Sequence, residues 1–590
     1  MMKTDRHNRK TYIILLLIII ICDCLMLLIF EGKKDFHMDE VWSYSLSNSH
    51  EKPFLFYWQI GTGEIGSETR TYKLKAGEEN PFNIDRDNKF YEQWHSGEEF
   101  HNYLTVQEDE RFDYANVYYN QTCDVHPPLY YLLLHTISSF FPDSFSKWYA
   151  ASINLFFYSL SLLALFFLGR QMFKSDKKAL LAVTVWGLSR AWLSDAVFLR
   201  MYMIMTFLTI LLAYFHMRLI ENYKIKYVAL IFTINLLGFL TQYYFYIFSF
   251  FITASVCIYL LFKKRIKQLL IYACTVLASV GAAILAFPAA VIHLTQGCYT
   301  DTTVNGLTSF LGGRYLLTYL LQDFTGLAYY DKTLLADLLP IIVLVFVIIL
   351  WLRFCKKETN KKEKIIAVIG RFRAGNVILL ISLIFSGLLI GNISPNMQYF
   401  SDRYIFALYP LFVLPFVNVV CFLVKKLTSR FKIGKYCFQT AAAVLMALTV
   451  MSNTLNENRY FGISLNSPEV NDIISDAADG GTFYYIPDRE RIIHLFAPFF
   501  INSDKVYPAH ALDDSLIRII NENEIGAESA YLIFEAITSL ENGEYVSENK
   551  KGIEFVLTKL LEHDFEFVAD FYYGKNQGGD LYHMYRVNYT

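Results

Sequence analysis

Two carboxylates stand side by side just past the first apolar run. The string is His37-Met38-Asp39-Glu40-Val41-Trp42, a few residues beyond Phe30. Acids at a helix N-terminus gain roughly 0.3–1 kcal/mol from the helix dipole, which is one reason to find them there. The other reason is chemical: a carboxylate fixed at a bilayer surface can take a proton from a hydroxyl beside a lipid headgroup. A second string, Cys123-Asp124-Val125-His126-Pro127-Pro128-Leu129-Tyr130, closes the same polar stretch. Its Pro-Pro pair suits a helix start, and Leu129–His135 continue as an apolar helix of interfacial character. Two arginines open later apolar runs, in Arg200-Met201-Tyr202 and Asp402-Arg403-Tyr404. A guanidinium fork matches phosphate oxygens in shape and in permanent charge. An arginine so placed also snorkels to lipid phosphates without specificity, so both readings stand.

Aromatic side chains and histidines accompany these strings. Trp42, Tyr44, Trp58, Trp94, Tyr118, Tyr119 and the run Tyr243-Tyr244-Phe245-Tyr246 are suited to stacking on a sugar or lining a lipid groove. Anchoring at the membrane interface is the ordinary alternative. His37, His126 and His293 can titrate beside a site or serve packing and backbone bonds. No CxxC pair or His/Cys cluster has ligand spacing, so no metal is expected. Of nine cysteines, Cys22, Cys24, Cys257, Cys274, Cys421 and Cys437 sit in apolar runs as small hydrophobes. A Cys123–Cys298 disulfide stays open, because Cα separation is not legible in sequence. Asn120-Gln121-Thr122 fits a glycosylation acceptor, which matters only in a eukaryotic secretory membrane.

The elements that must position these groups are apolar. Of 590 residues, 54% are hydrophobic, 17% aromatic and 18% charged, too apolar for an ordinary soluble chain. The net charge of −2, with no basic region set apart, argues against a nucleic-acid partner. Apolar runs at about 11–30, 146–169, 179–195, 201–217, 227–241, 243–262, 268–291, 334–352, 374–391, 403–424 and 436–453 each approach the roughly 20 residues that cross a bilayer. The first has a basic start but a bulky exit, Leu28-Ile29-Phe30-Glu31, and so predicts a retained helix rather than a cleaved leader. Lys and Arg crowd residues 1–10, 170–178, 218–226, 263–267, 353–373 and 425–435, on alternate sides of these runs. The positive-inside rule then predicts a cytoplasmic N-terminus, with loops 31–145 and 292–333 and the tail on the other side.

The expected architecture is an all-α polytopic membrane bundle of about eleven transmembrane helices with a C-terminal extracytoplasmic α/β domain. Its boundaries fall at 1–454 and 455–590. Within the tail, Thr482–Ile486, Lys505–Tyr507 and Tyr531–Glu535 predict buried strands, and Phe565–Tyr573 with Asp580–Val587 a strand pair. Arg489–Phe499, Asp514–Asn521 and Gly552–His563 predict helices between them.

Asp39-Glu40 after the first run, with Asp124-Val125-His126-Pro127-Pro128-Leu129 closing the first loop, resembles the protein O-mannosyltransferase and aminoarabinose-transferase group of C-type membrane glycosyltransferases. The likeness covers about residues 10–450, and Arg200-Met201-Tyr202 and Asp402-Arg403-Tyr404 fall where bacterial members have similar strings. It implies transfer of a hexose or pentose from a polyprenyl-phosphate carrier to an extracytoplasmic cell-envelope glycan, lipid or protein. It implies Asp39 as general base with Glu40 in support. Arg200, Arg403 and Tyr202 would lie at the donor phosphate, and His37, Asp124, His126 and Tyr243 would line the site. Single displacement with inversion needs no cofactor beyond the lipid-linked sugar. A multi-pass plasma-membrane location is expected, with membrane lipid as a further partner. The tail does not match the β-trefoil insert of eukaryotic mannosyltransferases, which weighs against a protein acceptor. The alternatives are a transporter or flippase for polyprenyl-linked glycan, or a non-catalytic envelope-assembly protein on the same scaffold. Apolar midspans and the absence of an evident repeat disfavour transport.

Overall fold

The computed structural model describes residues 2–33, 36–50, 92–296, 315–316, 318–320, 374–393, 402–430, 436–454, 464–465, 479–486, 493–509, 514–522, 529–536, 538–541, 544–547, 558, 564–572 and 581–588. The long first helix α1 (Met2–Gly32) leads to a short helix α2 (Met38–Asn48). A two-residue strand β1 (His95–Ser96) and helices α3 (Gly97–Leu104), α4 (Tyr114–Cys123) and α5 (Leu129–Ser138) complete the described part of the first loop. The bundle continues with α6 (Lys147–Phe173), α7 (Asp176–Leu188), α8 (Arg190–Val197), α9 (Tyr202–Glu221), α10 (Ile225–Thr241), α11 (Phe245–Phe262), α12 (Ile266–Ala286) and α13 (Ala289–Gln296). Beyond these come α14 (Ala374–Ile393), a 3-10 turn (Asp402–Leu408), α15 (Tyr409–Arg430) and α16 (Cys437–Thr454).

Among the described residues, seven helices are long and apolar enough to cross a membrane: Arg9–Gly32, Lys147–Phe173, Tyr202–Glu221, Phe245–Phe262, Ile266–Ala286, Ala374–Ile393 and Arg403–Thr428. The chain is thus a multi-pass membrane protein, and seven of the eleven expected runs form such helices among the described residues. Three of the missing four have a structural reason. The run at 179–195 is broken: Ser189 is extended, with φ −83° and ψ 159°, and separates α7 from the eight-residue α8. Polar Arg190, Ser194 and Asp195 are buried inside the protein rather than set in lipid, as unfavourable charge in hydrocarbon requires. Helix α10 has 17 residues, and the apolar part of α16, Cys437–Val450, is likewise short. The run at 334–352 lies outside the described residues, as do the helix expected at Gly552–His563, apart from residue 558, and Cys298 of the open disulfide.

Helix α9 is the hub, packed against α6, α10, α11, α14 and the 3-10 turn. By contrast α1 presents Ile13, Ile14, Leu16, Leu17, Ile20 and Leu28 outward, and α12 presents Leu277 and Leu285. A soluble protein would not expose so broad an apolar surface, but one solvated by lipid tails does.

The tail supplies six strands of a mixed seven-stranded sheet, completed by β1 of the first loop, in the order β1-β4-β3-β5-β9-β8-β2. Its members are β2 (Ser464–Leu465), β3 (Thr482–Ile486), β4 (Lys505–Pro508), β5 (Ser529–Ala536), β8 (Asp564–Tyr572) and β9 (Leu581–Asn588). A separate hairpin joins β6 (Thr538–Glu541) to β7 (Glu544–Ser547). Strand β3 runs parallel to β4 and β5, while β5–β9 and β9–β8 are antiparallel. The parallel centre is covered on both faces, as such sheets require. Tyr484 and Ile486 pack with Leu516 and Ile520 of the helix Asp514–Glu522. Phe483 and Tyr485 belong instead to the core shared with the first loop and the bundle. The expected helix at 489–499 is, in its described part, a 3-10 turn Ile493–Phe496 followed by a short helix Ala497–Phe500.

Candidate functional site

Helix α2 begins at the site. His37 is its N-cap: the Asp39 N–H donates to His37 Nδ1 at 3.1 Å, and the His37 N–H donates to Glu40 Oε2 at 2.7 Å. This is the reciprocal geometry of a capping box, with imidazole in place of the usual hydroxyl. A ring nitrogen that accepts carries no proton, and burial pushes His37 down to about 3, reinforced by Arg403, Lys33 and Arg200 against the pull of Asp39. His37 is therefore a neutral cap rather than a titrating group near neutral pH.

Glu40 turns into the protein. Its Oε1 accepts from the Leu199 N–H at 2.8 Å, and its Oε2 meets Lys33 Nζ at 3.0 Å with both side chains fully buried. Burial raises its pKa against the opposing Lys33 charge and backbone donors. Both oxygens are thus engaged in fixing α2 to the end of α1 and to the segment before α9.

Asp39 faces the other way, and its carboxylate Oδ2 accepts from Arg403 Nη1. Burial acts to raise its pKa, yet Arg403 and Arg200 together outweigh burial and hold Asp39 well below the ordinary carboxylate range. Arg200 reaches the same residue by another route. Its Nη1 donates to the Asp39 backbone carbonyl at 2.6 Å and to Ser43 Oγ at 3.2 Å, and its Nη2 lies 3.2 Å from His126 Nε2.

That last contact settles the His126 tautomer. Arginine only donates, so Nε2 accepts and the proton sits on Nδ1, which points at Asp124 Oδ2 from 2.6 Å. Burial works to raise Asp124, but His126 and Arg200 bring it below the usual range. The series Asp124–His126–Arg200–Asp39 thus links the end of the first loop to its beginning.

The remaining expected residues sit around this core. Tyr202 opens α9 with its ring stacked on Phe198 at 5.6 Å and edge-on to Phe406, within electrostatic reach of Arg403, Arg200 and Asp39. Tyr243 is further out: its hydroxyl donates to His293 Nδ1 at 3.0 Å, and His293 Nε2 lies 3.3 Å from the Thr122 carbonyl. This ties α13 to the end of α4, just before Asp124. Burial lowers the pKa of His293, opposed by that carbonyl.

Several residues of the site were not anticipated. Ser43 bonds Arg200 and, through Oγ, the Asp39 carbonyl at 3.0 Å. Tyr130 donates to the Leu199 carbonyl at 2.7 Å. Lys33 neutralises Glu40, and Tyr404, stacked on Tyr244 at 4.4 Å, carries the Arg403 guanidinium over its ring at 5.2 Å. The i, i+4 spacing of Asp39, Ser43 and Ser47 on one helix was a usable signal for the first of these. The others depend on contacts between remote segments.

No protein-family model matches the chain, and no curated protein matches it in sequence. Among solved structures, one match is the crystal structure of the Archaeoglobus fulgidus oligosaccharyltransferase tethered by a disulfide to an acceptor peptide containing the NVT sequon. Identity is 12% and the TM-score 0.37, over 78% of this chain and 66% of the neighbour's. The chain therefore spans just under two thirds of that protein's length.

Proposed function

We propose that this protein is a membrane glycosyltransferase that moves a sugar from a polyprenyl-phosphate carrier to an acceptor hydroxyl on the extracytoplasmic face. The observation that carries this reading is the meeting of the Asp39 carboxylate with the Arg403 guanidinium at the ends of two remote segments. A proton acceptor and a phosphate ligand are the two groups that such a transfer needs.

The acceptor O–H gives its proton to Asp39 as its oxygen bonds to the anomeric carbon. The bond from that carbon to the phosphate oxygen breaks, and the phosphate leaves with the electron pair. Arg403 stabilises the charge that develops there. Arg200, whose Nη atoms are engaged by the protein, positions Asp39 and adds positive potential. A carboxylate held so acidic is a weak base while Arg403 faces it. As phosphate draws on the Arg403 charge, that hold relaxes and Asp39 becomes more basic. One base and a displaced phosphate give inversion, by the logic of inverting glycosidases. Glu40 and His37 act by positioning, and Asp124 with His126 orients Arg200. No metal or further cofactor enters the scheme. The acceptor is a cell-envelope glycan, lipid or protein, and the location a plasma membrane with the N-terminus cytoplasmic.

The test is sugar release from radiolabelled polyprenyl-phosphate-hexose by the purified protein in lipid, with crude envelope acceptor, beside Asp39→Asn. Turnover by wild type and a loss of about 100-fold or more in the variant is the expected result. Equal turnover in both removes Asp39 from the mechanism. Absence of both turnover and binding across a donor panel overturns the reading as a whole.

A further inference from the structure

The first loop supplies an edge strand to the tail's sheet. His95 and Ser96 pair antiparallel with Val506 and Lys505. One residue earlier, the Trp94 ring meets Tyr484 at 5.4 Å and Tyr507 at 5.2 Å, with Lys505 Nζ 4.7 Å from its centroid. The Glu92 N–H donates to the Pro508 carbonyl at 2.8 Å. Immediately after the strand, Gly97 lies so close to the tail that a Cβ there would stand 2.3 Å from the Ser503 carbonyl oxygen and 2.9 Å from that of Phe500. Only a residue without a side chain permits this approach. Phe100, fully buried, then packs on Phe500 at 5.2 Å.

This joint leads to the site through two routes. Helix α3, which starts at Gly97, ends at Leu104, and the Leu104 carbonyl accepts from Asn48 Nδ2 at 2.8 Å at the far end of α2. Asn48 Nδ2 also reaches Ser138 Oγ of α5 at 3.2 Å. In addition the turn Ile493–Phe496 of the tail packs directly against α2. A helix transmits displacement along its axis as a stiff rod, and Asp39 lies at the opposite end of α2 from Asn48.

We propose that Trp94 and Gly97 are positioning residues, and that docking of the tail on β1 sets the placement of α2 and hence of Asp39. This rests on the reading of Asp39 as the base. The donor phosphate is held by residues outside the joint, so undocking lowers kcat and leaves the donor KM within about twofold. A misplacement of about 1 Å can cost on the order of 100-fold in rate.

The experiment compares wild type, Trp94→Phe, Trp94→Ala and Gly97→Val, each in membranes and with the full chain. A cross-link arm adds Ser96→Cys with Lys505→Cys, directly opposite partners whose spacing suits a disulfide. Expected are a tenfold or larger fall in kcat for Trp94→Ala, near-normal kcat for Trp94→Phe, and faster protease cleavage of the tail in Gly97→Val. Oxidation of the cysteine pair in the Trp94→Ala background is expected to restore kcat, which a merely structural defect would not show. Failure of the cross-link to form overturns the pairing. A formed cross-link with kcat insensitive to Trp94→Ala overturns the positioning role. The cross-link and protease readouts stand even without turnover, so failure of the glycosyltransferase reading is told apart from failure of the joint.

Discussion

Arg403 and His37 bracket Asp39 with opposite duties. Arg403 donates to the carboxylate through Nη1, while its Nη2 donates to the Tyr404 hydroxyl at 3.3 Å and its guanidinium rests over the Tyr404 ring. Removing a donor aimed at developing charge typically lowers kcat by about 10²–10³, and that range is expected for Arg403→Ala in the sugar-release assay. Arg403→Lys keeps the charge without the fork and is expected to fall between the two. His37 is a cap whose titration is displaced downward by burial. The unfolded chain takes up a proton near the ordinary histidine value of about 6.5, whereas the folded one resists until far lower pH. Stability from His37 is therefore full above that value and declines on acidification. Asp39 has the depressed pattern of a paired carboxylate, so its contribution is present above about 4 and is lost only below that. His37→Asn retains a good cap. Between pH 6.5 and 4 its thermal midpoint in detergent is expected to vary less steeply than that of wild type. An unchanged slope would remove His37 from the acid response.

At the scale of elements, α2 is fastened at both ends by buried polar groups. Lys33 and Glu40 make the N-terminal fastening, and Asn48 the C-terminal one. Replacing one member of a fully buried ion pair typically costs about 3–5 kcal/mol because the other charge loses its compensation. Glu40→Gln is expected to lower the unfolding midpoint sharply, and Lys33→Met added to it to recover much of the loss. A double variant no better than the single would show that the backbone bonds of Glu40 matter more than the pair. The sequence made most of the helices legible, because charge-free runs the length of a bilayer have few other solutions. It hid the break at Ser189, since one serine in an apolar run carries no period of its own. It also hid β1, a two-residue strand whose existence depends on a partner in the tail. The site shows the same division. Asp39, Asp124, His126 and the two arginines stand out as polar groups beside apolar runs, whereas the parts of Lys33, Tyr130 and Tyr404 arise only from packing.

For the whole molecule, the orientation proposed from loop charges puts Asp479 of the tail and Lys263 between α11 and α12 on opposite sides of the membrane. Both are exposed. With the native cysteines replaced, Asp479→Cys is expected to react with an impermeant maleimide in intact cells and Lys263→Cys only after lysis. The reverse pattern would invert the topology and place Asp39 in the cytoplasm. Among the described residues, one face of the tail's sheet, at Phe483 and Tyr485, packs into the cluster shared with the first loop and bundle.

The pairing of His95 with Val506 joins segments roughly 400 residues apart, a separation that ordinarily makes strand pairing slow. During synthesis the first loop is delivered early, and its edge strand must wait while every later helix is inserted. The same sheet also needs β9, which comes last among its strands in the chain. Under the proposed topology, completion of this sheet is therefore tied to export of the tail. On the proposed reading, a nascent chain stalled at any intermediate helix carries the Asp39 carboxylate without the joint that seats it, so such a by-product of biogenesis is expected to stay catalytically silent.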